Sequence, residues 1–215
     1  MLKRKKILGR HKILEKTNII KKFLISKKTE SDFQQYLDIL VEHNSHTNLV
    51  GRSTLVNPWN SHILDSFQLM PFIKNKNLSI IDMGTGAGFP GNVLSIAGCK
   101  NVTLVDSNGK KINFLKLIKN KMNLKTKIIL SRIEALSNIK YDIITCRALA
   151  SLDKIFSYSQ KLLKKNTVLI LLKGKTVNDE IEETKKKWTF QLDKHQSISD
   201  YRGSLLIIKN INKND

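Results

Sequence analysis

Cysteine, proline and acidic residues are all scarce in this 215-residue chain. Two cysteines, Cys99 and Cys146, exclude a disulfide framework and a cysteine zinc site, and they suit a reducing compartment such as the cytoplasm. No apolar run reaches the ~18–20 residues of a membrane span. The basic start has no uninterrupted apolar stretch and small-residue cleavage site after it, so it does not read as a signal peptide. Three prolines and ten glycines never gather into a Ser/Gly/Pro-rich linker, and the chain is not divided into independent domains. There is no His–Asp or Ser–His–Asp arrangement that reads as catalytic, and no set of metal ligands. Asp and Glu total 18 against 38 Lys and Arg, a formal net charge of +20. The deficit of acid is greatest over residues 1–28, where eleven basic residues face Glu15 alone. A basic arm of this kind suits a polyphosphate partner through counterion release. The Lys-, Ile- and Asn-rich composition throughout also fits the codon bias of an AT-rich genome.

What is present is concentrated at residues 78–91, LSIIDMGTGAGFPG, with Asp106 closing the next apolar run. Leu78, Ile80 and Ile81 read as a buried strand, Asp82 ends it, and Gly84, Gly86 and Gly88 make a turn that lets a ligand lie against bare backbone. An acid about 20 residues on, at the tip of the second strand, is placed to accept from a ribose diol. The pattern therefore implies an adenosine-containing cofactor at the carboxyl edge of a parallel sheet. Gly86 to Gly91 also satisfies the G-x-G-x-x-G of dinucleotide enzymes, so that alternative stays open on spacing alone. Three points favour S-adenosylmethionine (SAM). Asp82 followed by the three glycines resembles motif I of class I methyltransferases. Pro90 removes an amide where a pyrophosphate would want every donor. And 215 residues leave little room for a second catalytic domain.

Periodicity predicts a helix over 31–43, capped by Ser31, with Phe33, Tyr36, Leu37, Leu40 and Val41 on one face. Asn57-Pro58 opens a second helix that carries Trp59, Ile63, Leu64 and Phe67 before Pro71. From residue 78 strands are expected near 78–82, 101–106, 127–130, 141–145 and 167–172, alternating with helices near 88–97, 110–123, 152–164 and 178–188. A last pair of strands, near 189–197 and 204–209, turns through Tyr201-Arg202-Gly203. Such alternation implies an α/β fold with a mostly parallel seven-stranded sheet, helices on both faces and one antiparallel strand. The expected organisation is a basic arm at 1–30, partly helical, and a methyltransferase domain at 31–215. In that domain the helices of 31–75 pack on a Rossmann-like core of 76–215.

Six strings in register resemble one family: HILDS at 62–66, IIDMGTGAGFPG at 80–91, LVDSNGKKINFL at 104–115, SRIEAL at 131–136, CRALASL at 146–152 and LLKGK at 171–175. Together they are similar to the bacterial 16S rRNA guanine-N7 methyltransferases, the RsmG family, also called glucose-inhibited division protein B. The resemblance runs from about residue 31 to the end and implies a cytoplasmic, SAM-dependent enzyme. Its substrate is implied to be guanine-527 of 16S rRNA in the small ribosomal subunit, and a monomer is expected. It further implies that the turn from Gly84 through Gly86 and Gly88 holds the methionine end of SAM, and that Phe89 lines the same pocket. Asp106 would face the ribose, Ile133 and Glu134 would hold the adenine, and Arg147 would stand at the mouth of cofactor and substrate. His62 and Asp65 are expected to fasten their helix against the glycine loop. Lys110, Lys111 and Lys173 are candidates for RNA phosphate contact. Four positions depart from the family pattern: Ser61 replaces a basic residue, Asn92-Val93 replaces Ile-Pro, and Cys146 replaces Ser or Ala. N7 of guanine carries a lone pair and no proton, so the reaction needs no general base. A cytosine-C5 methyltransferase, with Cys146 as nucleophile, is the rival within the fold.

Overall fold

The computed structural model describes residues 16–136 and 139–214; the basic arm as far as residue 15 lies outside them. Seven strands form one sheet in the order β3-β2-β1-β4-β5-β7-β6. They are β1 (Ser79–Met83), β2 (Asn101–Asp106), β3 (Lys127–Leu130), β4 (Tyr141–Arg147), β5 (Leu163–Lys173), β6 (Trp188–Gln196) and β7 (Ser204–Lys213). The first five pair in parallel, and β7 runs antiparallel to both β5 and β6. This is the doubly covered α/β architecture that strand–helix alternation predicts.

Successive strand residues face opposite sides, so buried neighbours such as Ile80 and Ile81 feed different cores. On one face Ile81, Ile144, Leu169 and Leu206 pack against Leu152, Ile155 and Phe156 of α6 (Leu152–Ser159) and Val177 and Ile181 of α7 (Val177–Lys185). On the other Ile80, Leu104, Ile143 and Ile170 meet Leu94 of α4 (Gly91–Ile96) and Ile112 and Leu115 of α5 (Gly109–Lys121). A third core binds the N-terminal helices to this layer. Ile19 of α1 (residues 16–23), Phe33, Tyr36 and Leu40 of α2 (Lys27–Thr47) and Ile63 lie with Phe89, Phe114 and Ile118.

The N-terminal region differs from the sequence expectation in informative ways. α2 begins at Lys27 because Ser26, not Ser31, is its cap: Ser26 Oγ accepts from Thr29 N at 3.2 Å. The boundary expected after residue 30 therefore falls inside α2, and α1 packs on the domain through Ile19. Val41 is exposed at 47 %, and the buried stripe runs instead to Asn44, whose Oδ1 accepts from Val50 N at 2.8 Å. A polar residue with a backbone partner thus takes a place that hydrophobic periodicity assigns to an apolar one. The helix after Pro58 starts as expected, with Asn57 Oδ1 accepting from Asn60 N, but Trp59–Leu64 is π-helical before α3 (Asp65–Phe67). β5 starts four residues before the expected 167, because the backbone of 163–166 leaves the helical path after Leu162 and crosses to β4, pairing Leu163 with Tyr141.

Candidate active site

The carboxyl ends of β1, β2, β4 and β5 place Gly84, Asp106, Arg147 and Lys173 along one edge of the sheet. Asp82, fully buried, organises the turn that follows β1. Its Oδ2 accepts from Gly91 N at 2.8 Å and from Thr85 Oγ1 at 2.5 Å, and its Oδ1 from Thr145 Oγ1 at 3.2 Å. Gly91 is the first residue of α4, so the start of that helix is already satisfied by a protein carboxylate. An incoming pyrophosphate would meet that acid, which argues against a dinucleotide. Gly84, at φ +65°, lies so close to Leu149 that a Cβ would stand 2.5 Å from Leu149 Cδ1.

Asp106 ends β2 with both oxygens engaged by backbone: Gly86 N donates to Oδ2 and Asn108 N to Oδ1, each at 2.9 Å. Each oxygen keeps a second lone pair, so the carboxylate is held in place yet still able to accept a diol. It lines a cavity of about 360 Å³ with Gly84, Lys111, Ile133, Glu134 and Leu149. Volume, a fixed acceptor and the apolar wall of Ile133, Leu149 and Tyr158 fit an adenosyl group. Of the residues expected here, Gly84, Asp106, Ile133 and Glu134 are brought together. Gly86 reaches the site through its N–H to Asp106. Gly88 lies under Tyr36, and Phe89 is 2 % exposed, stacked on Tyr36 at 5.2 Å and on His62 at 4.6 Å.

A second cavity, of about 460 Å³, adjoins the first and shares Ala148 and Leu149 with it; Asp65, Arg147, Lys173, Glu180 and Asp200 are on its walls. Arg147 Nη1 donates to Ser61 O at 2.8 Å and Asp65 Oδ2 at 2.9 Å, and Nη2 donates to His62 Nδ1 at 3.1 Å. Its guanidinium lies 5.2 Å from the Phe89 ring centre. The π-helical turn presents the Ser61 carbonyl, His62 and Asp65 to one side chain, which is the kind of functional use such turns often have. Lys173 Nζ is tied to Glu180 Oε2 at 2.5 Å and to Ala150 O at 2.8 Å, bracing the loop after β4. Lys111 Nζ stands 4.0 Å from Asp106 Oδ2, and Lys110 is exposed.

Burial, helped by Arg147, lowers the His62 pKa from 6.5 to about 3, so the ring is neutral. Nδ1 accepts from Arg147, which leaves Nε2–H to donate to Thr54 Oγ1 at 2.9 Å. Burial raises Asp82 from 3.8 to about 6, outweighing the hydrogen bonds that lower it. The two groups act oppositely on stability between about pH 4 and pH 6. As pH falls there, the unfolded chain protonates His62 and the folded one does not, so stability is lost. The folded chain holds a proton on Asp82 that the unfolded one releases, so stability is gained. Each slope is about 1.4 kcal/mol per pH unit, and they largely cancel. In Asp82→Asn only the His62 slope remains. Urea midpoints should therefore fall more steeply for that variant than for the wild type between pH 6 and pH 4; parallel profiles would show that the two groups are not opposed.

Comparison with known proteins decides the family. The sequence model described as "rRNA small subunit methyltransferase G" matches residues 29–208. The chain belongs to this family. Curated members are similar along almost their whole length. The ribosomal RNA small subunit methyltransferase G of Rickettsia prowazekii is 42 % identical over 190 residues, 86 % of this chain and 98 % of that one. The protein of the same name from Paramagnetospirillum magneticum is 33 % identical over 189 residues, 88 % of this chain and 92 % of that one. Among solved structures, a ribosomal protein L11 methylase from Lactobacillus delbrueckii shares the fold with a TM-score of 0.57 at 20 % identity, covering 67 % of this chain and 76 % of that one. M. jannaschii TYW2, solved in complex with AdoMet, does so with a TM-score of 0.54 at 14 % identity, covering 71 % and 76 %. The fold is therefore that of the SAM-dependent methyltransferases. Membership of the methyltransferase G family also fits the state of Cys146. It is 1 % exposed, and burial pushes its thiol up to about 12, which leaves no thiolate for a cytosine-C5 mechanism. Among the described residues no group of acids, histidines and cysteines is placed to hold a metal ion, and no helix is long and apolar enough to cross a membrane.

Proposed function

We propose that the protein transfers the methyl group of SAM to N7 of a guanine in 16S rRNA, acting as a monomer in the cytoplasm. The observation that carries this is the pair of adjoining cavities, one walled by Asp106 and the other by Arg147, in a chain that matches the rRNA methyltransferase G family from residue 29 to 208. Bound SAM supplies a methyl group activated by its sulfonium, and guanine N7 accepts it with its own lone pair. The protein's work is then to hold the two reactants in line and to exclude water.

Asp106 is the proposed acceptor for the ribose hydroxyls, with Ile133 and Leu149 against the adenine and Glu134 beside its exocyclic amine. Gly84 and its turn are the proposed seat of the methionine end. Arg147 is the proposed edge of the guanine site, where a guanidinium donor near O6 would orient the base and leave N7 free. Lys110 is a proposed phosphate contact. Lys111, near Asp106, belongs with the cofactor, and Lys173 braces the loop rather than meeting RNA.

Asp106→Ala should weaken SAM binding roughly a hundred-fold, since two hydrogen bonds to a charged group are lost at about 1.5 kcal/mol each; calorimetry on the purified protein measures it. The assay for function incubates the wild type with methyl-labelled SAM and small-subunit rRNA lacking N7-methylguanine. The modification is then mapped by cleavage specific for that base. One labelled guanine, lost with Asp106→Ala, is expected. Label on another atom or another RNA would overturn the substrate, and no label on naked RNA or on 30S particles would overturn the activity.

A further inference from the structure

The outer side of α1 and the loop between β6 and β7 make a surface that methyl transfer leaves unused. One side of α1 holds the domain. Ile19 is buried, Phe23 meets Phe67 edge-to-face at 5.2 Å, and Lys16 pairs with Glu30 at 2.9 Å while lying 4.7 Å over the Trp59 ring. Lys21 on the other side and Lys22 on the flank, its Nζ 5.9 Å from the Phe23 ring centre, are both exposed and, among the described residues, without a carboxylate partner. A groove of about 310 Å³ follows, lined by Asn18, Ile19, Lys22, Asn60, Leu64 and Ile198. Across it stands the β6–β7 loop.

That loop is firmly held. Asn60 Nδ2 donates to Ser199 O at 2.9 Å, Gln68 Oε1 accepts from Ile198 N at 3.0 Å, and Gln196 Nε2 donates to Tyr201 O and Gly203 O at 2.8 Å. Yet its tip projects Tyr201 into solvent at 84 % exposure, with the Arg202 guanidinium, pinned by Asp200, 5.7 Å from the ring centre. Asp200 and Gly203, on either side of this pair, are walls of the cavity that contains Arg147. The loop that carries Tyr201 therefore borders the pocket assigned to the target base, although the ring itself is not one of its walls.

Resting on the rRNA reading above, we propose that this face is a docking surface for the single-stranded RNA that flanks the target guanine. Tyr201 stacks on a neighbouring unpaired base, and Lys21 and Lys22 take backbone phosphates. Three features carry it. A tyrosine this exposed does no packing for the fold, whereas unpaired bases stack on such rings. The ammonium groups of Lys21 and Lys22, with no carboxylate partner among the described residues, are complementary to phosphate in a chain of net charge +20. And the loop's hydrogen bonds set the ring in place beforehand, so little order is lost when RNA arrives.

The test uses the full chain and two readouts: fluorescence anisotropy with a labelled single-stranded, guanine-containing RNA, and kcat and KM for methylation of small-subunit RNA. Tyr201→Ala should weaken oligonucleotide binding about ten-fold and raise KM by a similar factor, with kcat, SAM affinity and Tm unchanged. Tyr201→Phe should keep wild-type binding. The Lys21→Gln/Lys22→Gln double variant should lower the slope of log affinity against log salt by about 1.4. Equal binding by wild type and Tyr201→Ala overturns the proposal. So does a lower kcat at unchanged KM, which would mean the loop only shapes the cavity. A defect confined to assembled particles, with oligonucleotide binding intact, would mean the face meets a ribosomal protein and also overturns it. A wild type that binds the RNA and transfers no methyl rejects the functional reading alone; one that methylates while every variant matches it rejects this surface alone.

Discussion

Replacing Arg147 with alanine should lower kcat for RNA methylation by about 100-fold or more, leave SAM affinity within a few-fold, and not be rescued by lysine. Arg147 closes a four-part contact: the Ser61 carbonyl, the Asp65 carboxylate, the His62 ring and the face of Phe89. A planar fork reaches the carbonyl and carboxylate from one nitrogen and the imidazole lone pair from another, whereas an ammonium would have to serve all three from a single point. Without it the π-helical turn loses its link to β4, and the wall of the second cavity shifts. Misplacement by about 1 Å is enough for a 100-fold loss in a reaction that rests on alignment. The cofactor cavity does not include Arg147 among its walls, which is why SAM binding should survive. A second signature separates this role from a merely structural one. Arg147 is one of the two causes that lower the His62 pKa, so NMR titration of Arg147→Ala should find that pKa raised from about 3. Wild-type kcat in Arg147→Lys would show that charge alone suffices and would sink the argument.

The sequence allowed part of this site to be read and hid the rest for definable reasons. Asp106 could be placed because a strand followed by a glycine turn, and an acid at the tip of the next strand, fix a position on the sheet edge whatever the side-chain packing. His62 and Asp65, three residues apart, were placeable on one helix face. Their meeting with Arg147 was not, because it depends on pairing of β1 with β4 and on a π-helical turn that no spacing signals. Thr85, Thr145 and Asn92 gave no warning of their roles, since short polar residues near strand ends are common in loops. Tyr36 was legible only as part of an apolar stripe. Its ring does pack at 0 % exposure, but its hydroxyl donates to Ala87 O and accepts from Asn92 Nδ2 at 3.3 Å, which ties α2 to the glycine turn. Phe89 illustrates the same limit from the other side: the family resemblance implies a place in the cofactor pocket, and no spacing showed that its ring would lie against Tyr36 of α2, His62 and Arg147.

That tie makes Gly88→Ala the most damaging single methyl in the turn. At φ +96° an L-residue is strained, at about 1–2 kcal/mol. The added Cβ would stand 2.2 Å from Tyr36 Oη, 2.6 Å from Asn92 Nδ2 and 3.0 Å from Leu115 Cδ2. Tyr36 has nowhere to retreat, being fully buried and stacked on Phe89, so overpacking adds about 1–3 kcal/mol. For a chain of this length the sum lowers Tm by on the order of 10 °C. Gly86→Ala is the control. Its φ is +62°, but the nearest atoms to a Cβ are Lys111 Nζ at 3.9 Å and Gly84 O at 4.0 Å, so only the backbone strain is expected. Tyr36→Phe removes the atom that the Gly88→Ala methyl strikes. The double variant should therefore be more stable than the two single losses added together, by at least about 1 kcal/mol. Strict additivity in thermal or urea unfolding would mean that the left-handed backbone and the approach of Asn92 and Leu115, and not the Tyr36 hydroxyl, make glycine necessary at residue 88.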